Sequence, residues 1–142
     1  MALVHILLVE DDEVDAMAVK RGFLELKIAN PLYRVRDGIE ALDALRGKNG
    51  QTAIPSPYII LLDLNMPRMG GLEFLQELRK DPELHRSIVF VMTTSADEND
   101  RVQAYEKHVA GYILKQSPGR TFLDALSMLE HFWRVVELPD TL

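Results

Sequence analysis

The sequence predicts an α/β fold: one domain built as a doubly wound, five-stranded parallel sheet with helices on both faces. Three observations predict it. Short apolar segments alternate five times with stretches of helical periodicity, and strands joined through helices of this length form right-handed βαβ units. One segment, Tyr58-Ile59-Ile60-Leu61-Leu62, is apolar without interruption, as a strand covered on both faces must be. The 142 residues suffice for a single domain with a substantial core.

Residues 3–9 read as the first strand, running into Glu10-Asp11-Asp12. Residues 13–27 read as a helix, with Val14, Met17, Phe23 and Leu24 near helical spacing, and Asn30-Pro31 breaks it. Residues 32–35 mix apolar and polar side chains, which suits an edge strand. Asp37-Gly38 turns the chain into a helix over 39–45, carried by Ile39, Ala41, Leu42 and Leu45. A loop rich in Gly, Asn, Ser and Pro spans 47–57 and leads to the central strand, 58–62. The loop 63–71 precedes a helix over 72–80, which Asp81-Pro82 stops. A strand over 88–92 and a helix over 97–108 follow, the helix carrying Val102 and Tyr105 with Val109 beyond. Residues 111–114 complete the sheet. The last helix begins at Pro118 or Thr121 and runs to Val136, and proline suits a first helical turn. The second and fifth strands are the least apolar and belong at the edges, which gives the order 2-1-3-4-5. Strand order then reverses between the first and third strands, where ligands bind outside the carboxyl ends.

Composition removes several functions. There is no cysteine, hence no disulfide, thiolate metal site or cysteine nucleophile. A net charge of −6 opposes nonspecific nucleic-acid binding, which needs a basic face. The four histidines have no zinc-site spacing. The N-terminus lacks the basic and long apolar regions of a signal peptide. No apolar run approaches the roughly 20 residues that span a bilayer. A cytoplasmic protein without membrane contact is expected.

Chemistry gathers at the strand ends. Asp63 follows the central strand, Glu10-Asp11 the first, Thr93 the fourth and Lys115 the fifth. Three carboxylates brought together repel one another unless a cation joins them. Hard oxygen donors without His or Cys point to Mg2+ or Mn2+. Asp12 and Glu13 suit a helix N-terminus, where an acid contributes about 0.3–1 kcal/mol. Thr93 and Lys115 offer a hydroxyl and an ammonium to phosphoryl oxygens. In the loop Asp63-Leu64-Asn65-Met66-Pro67, then Gly70-Gly71, the proline fixes one φ and the glycines allow positive φ or close backbone approach.

These residues, in this order, resemble the receiver domain of two-component response regulators. The match covers about the first 120–130 residues, ordinary for one domain, and the strand order is that of flavodoxin-like folds. The resemblance implies a response regulatory domain over 1–142 that acts in a phosphorelay. It implies that Asp63 is the phosphoacceptor, taking a phosphoryl group from a sensor histidine kinase. Asp11, Asp63 and the Asn65 backbone carbonyl would hold Mg2+ (or Mn2+), with Glu10 acting through water. Lys115 would pair with the phosphoryl group. Thr93 would move to the phosphate and Tyr112 turn inward behind it. Asn65 and Ser95 would tune the phosphate lifetime. Such a protein is not a turnover enzyme but assists its own phosphorylation and dephosphorylation. One departure stands out: receivers resembling this chain usually carry a cis-joined proline after the lysine, and here Gln116 follows Lys115. A cis bond there would cost about 3–4 kcal/mol, so a trans bond is expected. Gly70 stands where many such receivers carry a polar residue.

The length leaves no room for an attached output domain, so the signal is expected to leave through a surface. The last helix carries more apolar residues than one sheet-facing stripe uses. Its ending, Phe132 to Pro139, resembles single-domain regulators paired with bacterial phytochrome kinases. The surplus suggests a homodimer or a kinase-docking surface, with the helix projecting past the sheet from Phe132, and the resemblance implies a homodimer through residues 132–142, with Phe132, Trp133, Val136 and Leu138 in contact. Two alternatives stay open. A Mg2+-dependent aspartyl-phosphate phosphatase shares the strand-end Asp, but its pattern has a second acid where this chain has Asn65. A receiver-like binding module that is never phosphorylated would keep the fold alone.

Overall fold

A computed structural model describes residues 3–115 and 120–139. The elements alternate: β1 (His5–Val9), α1 (Glu13–Glu25), β2 (Leu32–Val35), α2 (Gly38–Arg46), β3 (Tyr58–Leu62), α3 (Gly71–Lys80), β4 (Ile88–Thr93), α4 (Glu98–Glu106), β5 (Gly111–Leu114) and α5 (Arg120–Val135). All strand pairs are parallel, in the order β2-β1-β3-β4-β5. The predicted doubly wound sheet and both predicted edges are therefore present. In register, Val9 lies beside Leu62 and Leu62 beside Val91, so β1 and β3 end together and β4 runs two residues further, to Thr93.

Side chains alternate across the sheet as the pleat requires. Leu7, Val9, Ile60, Leu62, Val89 and Val91 pack with α2, α3 and Ala104 of α4. Ile6, Leu8, Ile59, Leu61, Phe90 and Met92 pack with α1 and α5. Among the described residues, no helix is long and apolar enough to cross a membrane.

Helix faces differ from the sequence expectation where small residues make the contact. α1 buries Ala16, Val19, Gly22 and Phe23, while Val14 and Leu24 are 75% and 78% exposed. Leu126 of α5 fills the space that a side chain at Gly22 would need, so these helices meet through a glycine that an apolar pattern does not register. α1 also ends two residues early. Lys27 turns left-handed at φ 58, its N–H donates to the Leu24 carbonyl at 3.1 Å, and the Ile28 N–H donates to Phe23 at 2.8 Å. This closure satisfies the last carbonyls and stops the helix before Pro31 matters. Likewise Val102 and Tyr105 of α4 are exposed, and the helix buries Ala104 instead.

The end of α5 corrects a further expectation. The helix does not project past the sheet from Phe132. Phe132 meets the Phe90 ring edge-on at 5.1 Å, and Trp133 lies 6.2 Å from Phe23. Trp133 is only 5% exposed, and Leu138 packs back on the same cluster. Of the four residues assigned to a dimer contact, only Val136 is exposed. The surplus apolar residues are mostly absorbed by the α1 side of the sheet, because Phe23, Phe90 and Trp133 together fill its far corner. Pro118, Gln116 and the Lys115–Gln116 bond lie outside the described residues, as do residues 140–142.

Trp133→Ala is expected to lower unfolding stability by about 3–5 kcal/mol. Because the ring is buried within one chain, urea melts at widely different protein concentrations should show the same loss.

Candidate functional site

The site forms because parallel strands in register end together. Beyond Val9 and Leu62 the chain leaves the sheet, and the Asp63 N–H still donates to the Val9 carbonyl at 3.0 Å. The Glu10 N–H donates to Val35 at 3.0 Å. Glu10 and Asp63 are thereby held buried at the strand-order reversal, with Asp11 half-exposed beside them. One carboxylate oxygen from each of Glu10, Asp11 and Asp63 lies within 4.8 Å of the others. The predicted acid cluster is thus assembled.

Lys115 reaches it from the far side. Its backbone N–H donates to the Thr93 carbonyl at 2.8 Å, continuing the β4–β5 ladder one residue past the strand. Its side chain is 9% exposed and its Nζ contacts Glu10 Oε2, Asp15 Oδ2 at 3.0 Å and Asp63 Oδ2 at 3.8 Å. Burial alone would pull the Lys115 pKa down, but the paired carboxylates outweigh it and the value is raised. Glu10 moves the other way relative to its charge: burial pushes its carboxyl up from 4.5 to about 7, against the pull of Lys115 and with the repulsion of Asp63. One ammonium does not fully balance the acids. Asp63 Oδ1 is buried and accepts no hydrogen bond, an expensive state for a carboxylate oxygen. Hard oxygen donors, excess negative charge and an unpartnered buried oxygen fit a divalent cation.

The loop after Asp63 is fixed by contacts that the sequence did not announce. A Cβ at Gly71 would lie 2.6 Å from the Asp63 carbonyl oxygen and 2.7 Å from Leu64 Cα, so close approach demands glycine there. Gly70 has φ −74, and the positive φ falls instead on Arg68, at 60°. The Arg68 guanidinium binds buried Asp37 through Nε at 2.7 Å and Nη2 at 2.6 Å. Asp37 also caps α2, and the Gly38 N–H donates to Met69 at 3.0 Å. Asn65 lies exposed on this braced loop.

Thr93, Ser95 and Tyr112 form one network. Thr93 is fully buried, and its Oγ1 accepts the Ser95 N–H at 3.3 Å. The Tyr112 hydroxyl donates to the Ser95 carbonyl at 2.8 Å. Ser95 Oγ donates to Asp100 of α4 at 2.7 Å. Partial burial pushes the Tyr112 pKa up, so the phenol stays a donor. Asp15 and Asp100 were not anticipated. Asp15 lies in the first turn of α1, where an acid reads as a helix-start residue, so the sequence carried no separate signal for its contact with Lys115.

A buried sheet with acids, a hydroxyl and a lysine at its carboxyl edge defines a class of signalling domain, and residues 6–127 match the response regulator receiver domain. The chain belongs to that family, whose members are signalling phosphoacceptors rather than enzymes in the ordinary sense. It is 37% identical over 135 residues to response regulator Rcp1 of Synechocystis, covering 94% of this chain and 92% of that protein. The crystal structure of the Mn2+-bound form of Rcp1 superposes with TM-score 0.84 at 35% identity, over 97% of this chain and 99% of the other. The phosphorylated cyanobacterial phytochrome response regulator RcpA gives TM-score 0.87 at 34% identity, again over 97% and 99%.

The Glu10 shift sets a pH dependence. In metal-free protein its contribution to stability is full below pH 4.5 and is lost as pH rises through about 7. A divalent cation favours the ionised carboxylate, so apparent affinity for such a cation is expected to fall as pH drops below about 7, by up to tenfold per unit. Calorimetric titration at pH 6 and 8 measures this, and Glu10→Gln should flatten the dependence.

Proposed function

We propose that the chain is a response regulator whose whole length acts as one receiver, with Asp63 as phosphoacceptor. The observation that carries this reading is the convergence of Glu10, Asp11, Asp63 and Lys115 around a buried, unpartnered Asp63 oxygen. The phosphoryl donor is a phosphohistidine on a sensor kinase. An Asp63 carboxylate oxygen attacks phosphorus. A P–O bond forms, the P–N bond breaks, and its electron pair returns to the imidazole. Mg2+ or Mn2+, held by Asp11, Asp63 and the Asn65 backbone carbonyl with Glu10 through water, would supply positive charge to the phosphoryl oxygens. Lys115 adds a fixed cation at the same edge. Thr93 offers its hydroxyl to the phosphoryl group, and Tyr112 follows as the Ser95 loop moves. Water attack on the acyl phosphate resets the domain, at a rate tuned by Asn65 and Ser95.

The kinase is proposed to be a bacterial phytochrome, acting in the cytoplasm. Support comes from the likeness to RcpA and Rcp1 along nearly the whole chain. Asp63→Asn is expected to abolish labelling by a phosphorylated phytochrome kinase while the melting temperature stays near that of the wild type. A folded variant still labelled at the original rate would remove Asp63 from the role.

Output is proposed to pass through a homodimer of α5. Met128, Phe132, Val135 and Val136 recur at helical spacing on one stripe, and Met128, Val135 and Val136 are exposed. Sedimentation should show a dimer that Val135→Glu with Val136→Glu converts to monomer. A wild-type monomer at high concentration, with and without phosphoryl donor, rejects the dimer.

A further inference from the structure

On the basis of the phosphoacceptor role proposed above, we infer that Asp15 is a positioning residue that competes with the incoming phosphoryl group for Lys115. Asp15 sits in the first turn of α1, outside the acid cluster that gathers around Asp63. Its Oδ2 accepts from Lys115 Nζ at 3.0 Å, whereas the nearest Asp63 oxygen is 3.8 Å away. Glu10 takes a second hydrogen bond from the same ammonium. An ammonium has three donors. Two are committed to Glu10 and Asp15, neither of which carries the phosphoryl group in the proposed role.

The partners differ in how easily they release the lysine. Glu10 is buried and has a second use, because its oxygens lie within reach of a cation shared with Asp11 and Asp63. Asp15 is 39% exposed at its side chain and has no place in that set. When a cation draws Glu10 away, Asp15 is the carboxylate that still holds Lys115. The two residues are 100 apart in sequence and tie α1 to the residue after β5. Here Gln116 follows Lys115 rather than proline, and a side-chain tether from α1 locates the lysine. The tether fixes the ammonium at the site and also opposes its transfer to phosphoryl oxygens.

Beryllofluoride with saturating Mg2+ is the probe, since it offers the lysine anionic fluorines on Asp63 without requiring a kinase. Asp15→Asn is expected to tighten the beryllofluoride Kd by about two- to fivefold, the range for a partly exposed ion pair. Asp15→Glu restores the charge and should return the Kd towards the wild-type value. Glu13→Gln removes the same charge from the same turn, but Glu13 pairs with Arg34 and Arg36 rather than with Lys115. It is expected to leave the Kd unchanged. Equal tightening in Glu13→Gln and Asp15→Asn reveals a general field effect and overturns the inference. So does an Asp15→Asn Kd that is unchanged or weaker in protein whose melting temperature shows it folded. If the wild type itself binds no beryllofluoride, the phosphoacceptor role falls and this inference falls with it. If the wild type binds and only the Asp15 prediction fails, that role stands.

Discussion

Like charge confined to one sheet edge is the constraint on which the rest of this structure depends. The register of β1 and β3 places Glu10 and Asp63 side by side, with Asp11 adjacent. Their mutual repulsion grows as water is excluded. The fold answers with one buried ammonium, Lys115, carried to the cluster by the ladder between β4 and β5. The answer is incomplete: Glu10 still resists ionisation and Asp63 keeps an oxygen without a donor. A site left short of positive charge in this way is prepared for a cation and for chemistry that brings one more anionic group beside it.

Such an edge needs a rigid foundation, and the opposite edge supplies it. Arg79 donates to the carbonyls of Lys107, His85, Ser87 and His108, at 2.7–2.9 Å. One guanidinium thus ties the end of α3 to the turns before β4 and β5. The Tyr58 hydroxyl and Ser87 Oγ bond at 2.6 Å on the same side. On the functional edge the bracing is local instead. Asp37 and Arg68 fix the loop after Asp63, and Gly71 lets that loop lie against the strand end. The Asp37–Arg68 pair joins a buried carboxylate to an exposed guanidinium, an arrangement that contributes little net stability and chiefly places the loop.

The fold was largely legible because its signals are periodic. An unbroken apolar strand, five alternations and two less apolar edges sufficed for strand order. The acid cluster was legible because an Asp at the end of a core strand has few structural explanations. What stayed hidden depends on side-chain direction and on small residues. Gly22 and Ala16 build the α1 contact without bulk, so Val14 and Leu24 were mistaken for its core. The burial of Trp133 is not legible in sequence because apolar content says nothing of which aromatic partner a ring meets, and here that partner is Phe23. Asp15 reads from sequence as a helix-start acid. Its bond to Lys115 spans 100 positions, and only tertiary structure brings the two together.

The stiff and soft parts of the site divide along chemical lines. The carboxylates rest on core strands whose apolar residues are almost wholly buried, so their spacing is not easily altered. The loop after β4 is held differently. Ser95 is bound by Thr93 Oγ1, Tyr112 and Asp100 through single hydrogen bonds near the surface. Each such bond is worth about 0.5–1.5 kcal/mol net, so a new bond from the Thr93 hydroxyl to a phosphoryl oxygen is enough to compete with them. In the proposed phosphorylated state, an anion at Asp63 would favour an arrangement of this loop in which Thr93 bonds it, which is the differential contact a population shift requires. In the proposed switch, the change at Asp63 travels outward through Ser95 to Tyr112 and α4 because those are the elements whose bonds are weak enough to exchange.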